Sequence, residues 1–398
     1  MFKFDFEIDD LVDDPTLVTP QNKSTSNPKL SHEETLPPET PSREIPIHDL
    51  LDSLPSLISC SPLNVPLRDG TKNVTLTRRD LFDARFQLIA EGAGTDDAPQ
   101  AADVATGDES NVEGDGEETQ HRHASALQFI EAPSDLVPRV YEGGLKTWEC
   151  SIDLVEYLDS THGVEGFLGK HILELGCGTA VPSLYILHHI FSSPPPSEVS
   201  QLPETVIYLQ DYNDSVLELV TLPNVLLTWY LSPASQTYRT ANASDADAED
   251  LPFPVTPEPF ELPISPSLKS AFLTSLKTYN ITLRFFPGSW SSFSTQLSTL
   301  HPEVFDLVLT SETIYRIDSL PSLVDTMRLA CRGSREAVEG GVERKGECFV
   351  AAKVLYFGVG GGVSDFVDFV EKRGIAKTEI VKERKTGVGR VVLSLRFE

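Results

Sequence analysis

The segment ILELGCGTA, residues 172–180, constrains the fold of this chain more than any other. A short apolar run ending in glycine is the pattern of a strand buried on both faces of a parallel sheet. Gly176 and Gly178 make a tight turn, and TAVPSLYILHHIF then has the length and apolar spacing of a helix. Such a turn exposes backbone N–H groups at the helix start and lets a ligand approach the main chain. The alternation continues downstream. ETVIYLQDYN reads as a second strand and DSVLELVTLPNVLLTW as a helix; SPSLKSAFLTSLKTYN is helical, and ITLRFF, FDLVLTSE and CFVAAKVLYFG are strands three to five. AKTEIVKE and GRVVLSLRF have no helix-length segment between them, so they form a hairpin and the last strand runs antiparallel to the rest. The fold class predicted is α/β, a doubly wound seven-stranded sheet.

Around that sheet the composition divides the chain. Residues 1–45 mix acids, Ser, Thr and Pro and read as a disordered acidic tail. Residues 46–90 read as a short helical element: Leu81, Phe82, Arg85, Phe86, Leu88 and Ile89 fall on one side of a helix, and Pro55, Pro62 and Pro66 break the run before it. Residues 91–126 form a flexible acidic linker, and 127–398 the folded domain, with a low-complexity insertion at 231–264 too polar and Pro-rich to pack. Before the first strand of the sheet, Trp148, Ile152, Val155 and Leu158 mark the apolar face of a helix. The chain carries 32 Lys and Arg against 60 Asp and Glu, a net charge of −28. That balance argues against DNA, whose affinity rests on phosphate neutralisation, and favours a basic protein partner. No stretch approaches the roughly 20 apolar residues of a membrane span. The N-terminus has no leader pattern, and five Cys without a CxxC predict a reducing compartment and no metal site.

Candidate site residues fall at the ends of the strands. Val181 stands where G-x-G-x-x-G requires its third glycine, and no Gly-Lys-Ser/Thr follows, so neither the dinucleotide fingerprint nor a phosphate loop is present. Glu174 before Gly176 and Gly178 points instead to folds that bind S-adenosylmethionine. Asp211 ends the second strand, where a carboxylate can accept hydrogen bonds from both hydroxyls of a ribose. Asp214 competes for the cap of the next helix and frees Asp211 for that role. Gly288, Ser289 and Trp290 follow the third strand and offer backbone groups and an aromatic wall to an adenine. Ser311, Glu312 and Tyr315 follow the fourth, central strand. On a helical turn Glu312 and Tyr315, three apart, face one way and present an acceptor and a phenol to a substrate. Gly358, Gly360, Gly361 and Gly362 suggest a substrate-facing loop after strand five.

YEGGLKTWECSIDLVEYL, ILELGCGTAVPS, LQDYNDSVLELVTLPN, GSW, SETIY and AAKVLYFGVGGG occur in that order. Together they resemble the protein-histidine N-methyltransferase family, a branch of the seven-β-strand, Rossmann-like methyltransferases. The resemblance implies S-adenosyl-L-methionine as cofactor and, as substrate, one histidine of a basic large-subunit ribosomal protein, in cytoplasm and nucleus. By position it carries Thr147, Trp148, Glu149, Cys150 and Ser151 to the methionine end of the cofactor, with Glu174 and Gly176 beneath. Gln210, Asp211 and Tyr212 would hold the ribose, Gly288, Ser289 and Trp290 flank the adenine, and Ser311 close the site. Glu312 and Tyr315 match the acidic-x-x-aromatic motif of related protein methyltransferases, many of which carry Asp there. Two other readings stay open at this point: a lysine or small-molecule methyltransferase, and a non-catalytic ribosome assembly factor. Oligomeric state is not legible in the sequence.

Overall fold

The computed structural model describes residues 40–68, 70–90, 143–196, 203–242, 258–300, 304–332, 346–356 and 360–398. The predicted linker and the tail up to residue 39 lie outside the described residues. In chain order the first elements are α1 (Ile47–Asp52), β1 (Leu57–Leu67), β2 (Lys72–Arg79), α2 (Leu81–Leu88), α3 (Glu149–Thr161), β3 (His171–Leu175), α4 (Val181–Ser192) and β4 (Thr205–Asp211). Next come α5 (Asp214–Tyr230), which contains a π turn at Leu217–Thr221, and α6 (Gln236–Asn242). They are followed by β5 (Phe260–Pro263), α7 (Pro266–Thr278), β6 (Ile281–Pro287), α8 (Trp290–Leu300), β7 (Leu307–Ser311) and α9 (Leu320–Arg332). The chain closes with β8 (Glu347–Lys353), α10 (Val363–Glu371), β9 (Ala376–Arg384) and β10 (Arg390–Phe397).

The main sheet has seven strands in the order β6-β4-β3-β7-β8-β10-β9. β6, β4, β3, β7 and β8 are mutually parallel, and β10 is antiparallel to both β8 and β9. The final hairpin is therefore inserted with the last strand inside and β9 at the edge. Alternate residues of each central strand serve different faces. Ile172, Ile207 and Leu309 join the core under α3, α4 and α5, while Leu173, Tyr208 and Val308 join the one under α8, α9 and α10. Burial on both faces is why these strands read as unbroken apolar runs. The order reverses between β3 and β7, so their carboxyl ends open a crevice at the switch point, where open α/β sheets hold ligands.

Several sequence expectations need correction. β1 and β2 form a β-hairpin, with β5 added to form a second, three-stranded sheet in the order β2-β1-β5. β5 pairs only with Leu57 to Cys60, so Pro62 and Pro66 lie on a stretch with a single neighbour, where proline is tolerated. The insertion at 231–264 packs at both ends: Ser232 and Ser235 are buried beside α5, and Leu262 of β5 enters the core. Helix α2 exists, but its buried face is Ala84, Gln87 and Leu88: Ala84 and Leu88 meet Leu145, Val216, Leu219 and Val220, and the Gln87 amide donates to Ser53 O. Phe82 and Phe86 point outward, 56% and 61% exposed, with their rings edge to face. Residues 40–45 are not a loose tail. Ile45 bridges to Phe285 of β6, and Glu44 forms a bidentate pair with Arg284.

Candidate active site

The turn after β3 is built by backbone conformation. Gly176 and Gly178 have φ of +61° and +52°, which only glycine adopts readily. A Cβ on Gly176 would stand 2.6 Å from Thr313 Cγ2, and one on Gly178 would stand 3.1 Å from the carbonyl oxygen of Gly144. Both glycines thus let neighbouring loops close over the turn. Glu174 is buried beneath it, and its Oε2 accepts the Ser183 N–H at 3.0 Å and the Ser183 hydroxyl, capping the first turn of α4 from inside the sheet. Its Oε1 is buried with no hydrogen-bond partner. Burial pushes the Glu174 carboxyl up to about 8. The Cys177 thiol is pushed well up, first by burial and then by Asp211 and Glu174, which fits a packing role rather than a nucleophile.

The end of β4 is a polar junction. Asp211 is buried and accepts the Gly178 N–H at 2.9 Å and the Asn213 N–H at 3.2 Å. Burial raises its carboxyl to about 6. Gln210 reaches three loops. Its Nε2 donates to Gly288 O at 2.8 Å and Asp211 O at 3.0 Å, and its Oε1 accepts Trp290 Nε1 at 3.0 Å and Gly176 N at 3.4 Å. The Trp290 indole therefore braces the floor of the glycine turn. Segment 40–45 completes this side: the Thr40 hydroxyl donates to the Tyr212 hydroxyl at 2.9 Å, and Ser289 N donates to Thr40 O at 3.0 Å. Gly288, at φ +109°, lies against Pro41, whose oxygen would stand 2.7 Å from a Cβ there.

On the other side of the turn stand the exits of β7 and β8 and the start of α3. No helical turn joins Glu312 to Tyr315. Glu312 is in the left-handed region at φ +59°, and α9 begins only at Leu320, so the expected helical pairing does not hold. The bend nevertheless turns the Glu312 side chain inward, 9% exposed, with Oε1 buried, lacking a hydrogen-bond partner and 3.4 Å from Lys353 Nζ. Cys150 and Tyr356 face that carboxylate; burial, then the Glu312 charge, pushes both groups well up. Tyr315 is buried and packs edge-on against Tyr356, ring centroids 6.3 Å apart. The Tyr315 backbone is overlaid by Gly361, where a Cβ would stand 2.4 Å away; Gly358 lies outside the described residues.

Helix α3 contributes its first turn. Thr147 and Thr179 hydroxyls lie 3.1 Å apart, tying the helix entry to the glycine turn. Trp148 is partly exposed, Glu149 approaches Lys353 at 3.5 Å, and the Ser151 hydroxyl turns back to Trp148 O at 2.7 Å. Ser311 ends β7, and the next N–H, of Glu312, donates to Ala351 O at 2.9 Å. Thr310 donates to Leu175 O at 2.8 Å and so locks the β7 exit to the β3 exit. The predicted residues form two groups that meet at Gly176 and Gly178: Gln210 to Trp290 on one side, the α3 start with Glu312 and Tyr315 on the other. Lys353 and Tyr356 were missed. The one available signal was a lysine ending an otherwise apolar strand beside β7.

A glycine cradle, buried acids ending β3 and β4, and a carboxylate with an open acceptor at the β7 exit suit a nucleoside-bearing methyl donor, and these residues fit S-adenosylmethionine. No family model matches the chain. It is 12% identical to the solved O-methyltransferase TomG from Streptomyces achromogenes, covering 70% of this chain and 89% of that one, with a TM-score of 0.33. Two curated relatives are more similar in sequence. Histidine protein methyltransferase 1 of Saccharomyces cerevisiae is 31% identical over 75% of this chain and 69% of its own length. Its Schizosaccharomyces pombe counterpart is 32% identical over the same shares of the two chains. At that identity over more than two thirds of each relative, the chain belongs to the histidine protein methyltransferase 1 family.

Proposed function

We propose that this enzyme methylates a histidine imidazole of a basic large-subunit ribosomal protein, in cytoplasm and nucleus. The observation that carries the reading is the Glu312 carboxylate, buried at the β7 exit with Oε1 short of a hydrogen-bond partner. A sulfonium cofactor, when bound, supplies an electrophilic methyl group. The protein has to supply position. A neutral imidazole already carries a lone pair on one nitrogen, and its ordinary pKa of about 6.5 keeps it mostly neutral near pH 7. Glu312 accepts the N–H of the other nitrogen, which fixes the tautomer and turns the lone pair toward the glycine turn. As the ring nitrogen gains a methyl group, the N–H proton on the other nitrogen passes to the Glu312 carboxylate that already accepts it and from there to solvent, so the ring leaves neutral and no lasting imidazolium is held. Tyr315 and Tyr356 wall the ring's side of the site and exclude water. Effective molarity from such placement is worth about 7–11 kcal/mol. The net charge of −28 supports a basic protein as partner.

The test is incubation with isotopically labelled S-adenosylmethionine and large-subunit ribosomal proteins from cells lacking the enzyme, followed by peptide mapping. Label in methylhistidine at one position is the expected result. Label on lysine, or none in ribosomal protein, refutes the reading.

A further inference from the structure

Lys353 closes β8 and projects into the space between the β7 exit and the start of α3. Its Nζ lies 3.4 Å from Glu312 Oε1, 3.5 Å from Glu149 Oε2 and 4.4 Å from the centroid of the Trp148 ring. The side chain is 17% exposed, so its ammonium is fixed rather than free to swing into solvent. Other polar groups face this spot from each packed element: Cys150 from α3, Tyr315 from the β7 exit and Tyr356 from the β8 exit. Arg390 of β10, the register partner of Lys353, is occupied by Asp153 at 2.5 Å, and Asp153 is shared with Arg384. Among the described residues, the cation that pairs with Glu312 is thus Lys353.

We propose that Lys353 is a positioning residue that sets specificity: its fixed ammonium compensates Glu312, so the carboxylate can accept an N–H from a neutral imidazole but does not hold a second cation. This rests on the histidine reading above. Two cations beside one carboxylate in a poorly solvated site repel each other more strongly than in water. Protonated histidine and protonated lysine are therefore both disfavoured. The consequence differs between them. Histidine, with an ordinary pKa of about 6.5, is mostly neutral near pH 7, so excluding its cation costs little. Lysine, at about 10.4, is neutral in only about one molecule in two to three thousand near pH 7. One ammonium therefore admits the imidazole and rejects the amine.

The experiment uses the full chain and the ribosomal protein identified by peptide mapping, in its natural form and with the target histidine replaced by lysine. For Lys353→Met we expect methylation of the lysine form, relative to the histidine form, to rise at least tenfold. The acid limb of the kcat profile should move up by about one pH unit, because uncompensated Glu312 then favours an imidazolium. Calorimetry without cofactor gives a second readout. From pH 7.5 to 5.5, wild type should lose affinity for the histidine protein more steeply than the variant. Lys353→Arg should restore wild-type selectivity and pH profile. Lys353→Gln, which keeps a donor toward Glu312 without the charge, carries the Met expectations if that variant is unstable. If the neutral variants lose turnover while selectivity, acid limb and pH-dependent affinity stay as in wild type, Lys353 only holds Trp148 and α3, and the proposal is overturned alone. If wild type methylates the lysine form as readily as the histidine form, the histidine reading falls with it.

Discussion

Gln210→Ala should damage both stability and cofactor binding, because one buried amide joins three loops of the site. Its Nε2 satisfies Gly288 O and Asp211 O, and its Oε1 satisfies the Trp290 indole N–H and approaches Gly176 N. The side chain is fully buried, so truncation leaves at least the Gly288 carbonyl and the Trp290 N–H without partners. At about 1–3 kcal/mol for a buried group left unpaired, the buried Gly288 carbonyl sets the cost and the partly buried Trp290 N–H adds to it, so the loss is at least about 1–3 kcal/mol. Gln210→Glu sharpens the test: it keeps an acceptor for Trp290 but sets carboxylate oxygen against the Gly288 carbonyl, so it should be at least as harmful as alanine. Denaturant titration gives the stability change, and calorimetry with S-adenosylmethionine gives the affinity. An alanine variant within about 0.5 kcal/mol of wild type, with unchanged cofactor affinity, would refute the view that Gln210 organises these loops.

Four further outcomes are expected. Ile45→Asp, or Arg284→Ala, should lift residues 40–45 from β6 and lower cofactor affinity severalfold by calorimetry, because Thr40 braces both Tyr212 and Ser289. Asp211→Ala should weaken S-adenosylmethionine binding at least tenfold while circular dichroism shows the domain still folded. Glu174 has its folded pKa raised from 4.5 to about 8, so the native state binds its proton more tightly than the unfolded chain and stability falls as pH rises through that window; Glu174→Gln should flatten that fall in denaturant titrations. Glu312→Gln and Tyr315→Phe should slow methyl transfer about ten- to hundredfold at saturating cofactor, as expected for about 1–3 kcal/mol of lost positioning, with cofactor affinity little changed.

The parts of the fold that were legible in the sequence are those where burial alone dictates the pattern. β3, β4 and β7 lie inside a two-sided sheet, so their apolar runs and terminal acids mark both the strands and the site. The hairpin of β1 and β2 was hidden because Pro62 and Pro66 read as breakers, and because β5, which completes that sheet, lies some two hundred residues downstream. Helix α2 has apolar residues on more than one side: Leu81, Phe82, Phe86 and Leu88. Periodicity over eight residues cannot choose among them; the groove lined by Val216 and Val220 takes small Ala84 and Leu88 and leaves the phenylalanines outside. Lys353 is an ordinary residue type at an ordinary strand end. Only the adjacency of β8 to β7, and of both to the start of α3, gives it a role.

That adjacency is itself maintained by charge. Asp153 and Glu156 on α3 are both nearly buried, and they meet Arg384, Arg390 and Lys382 from the final hairpin. Buried ions persist only when paired, and removing one partner of such a pair typically costs about 3–5 kcal/mol. The hairpin that ends the chain therefore does more than extend the sheet. By inserting β10 beside β8, it sets arginines against the second turn of α3, and this fixes the first turn, where Glu149 and Cys150 meet Lys353 and Glu312. The placement of Glu312 and Lys353 at the β7 exit thus depends on the antiparallel strand on the far side of β8, and not only on the parallel strands whose glycines and acids line the candidate site.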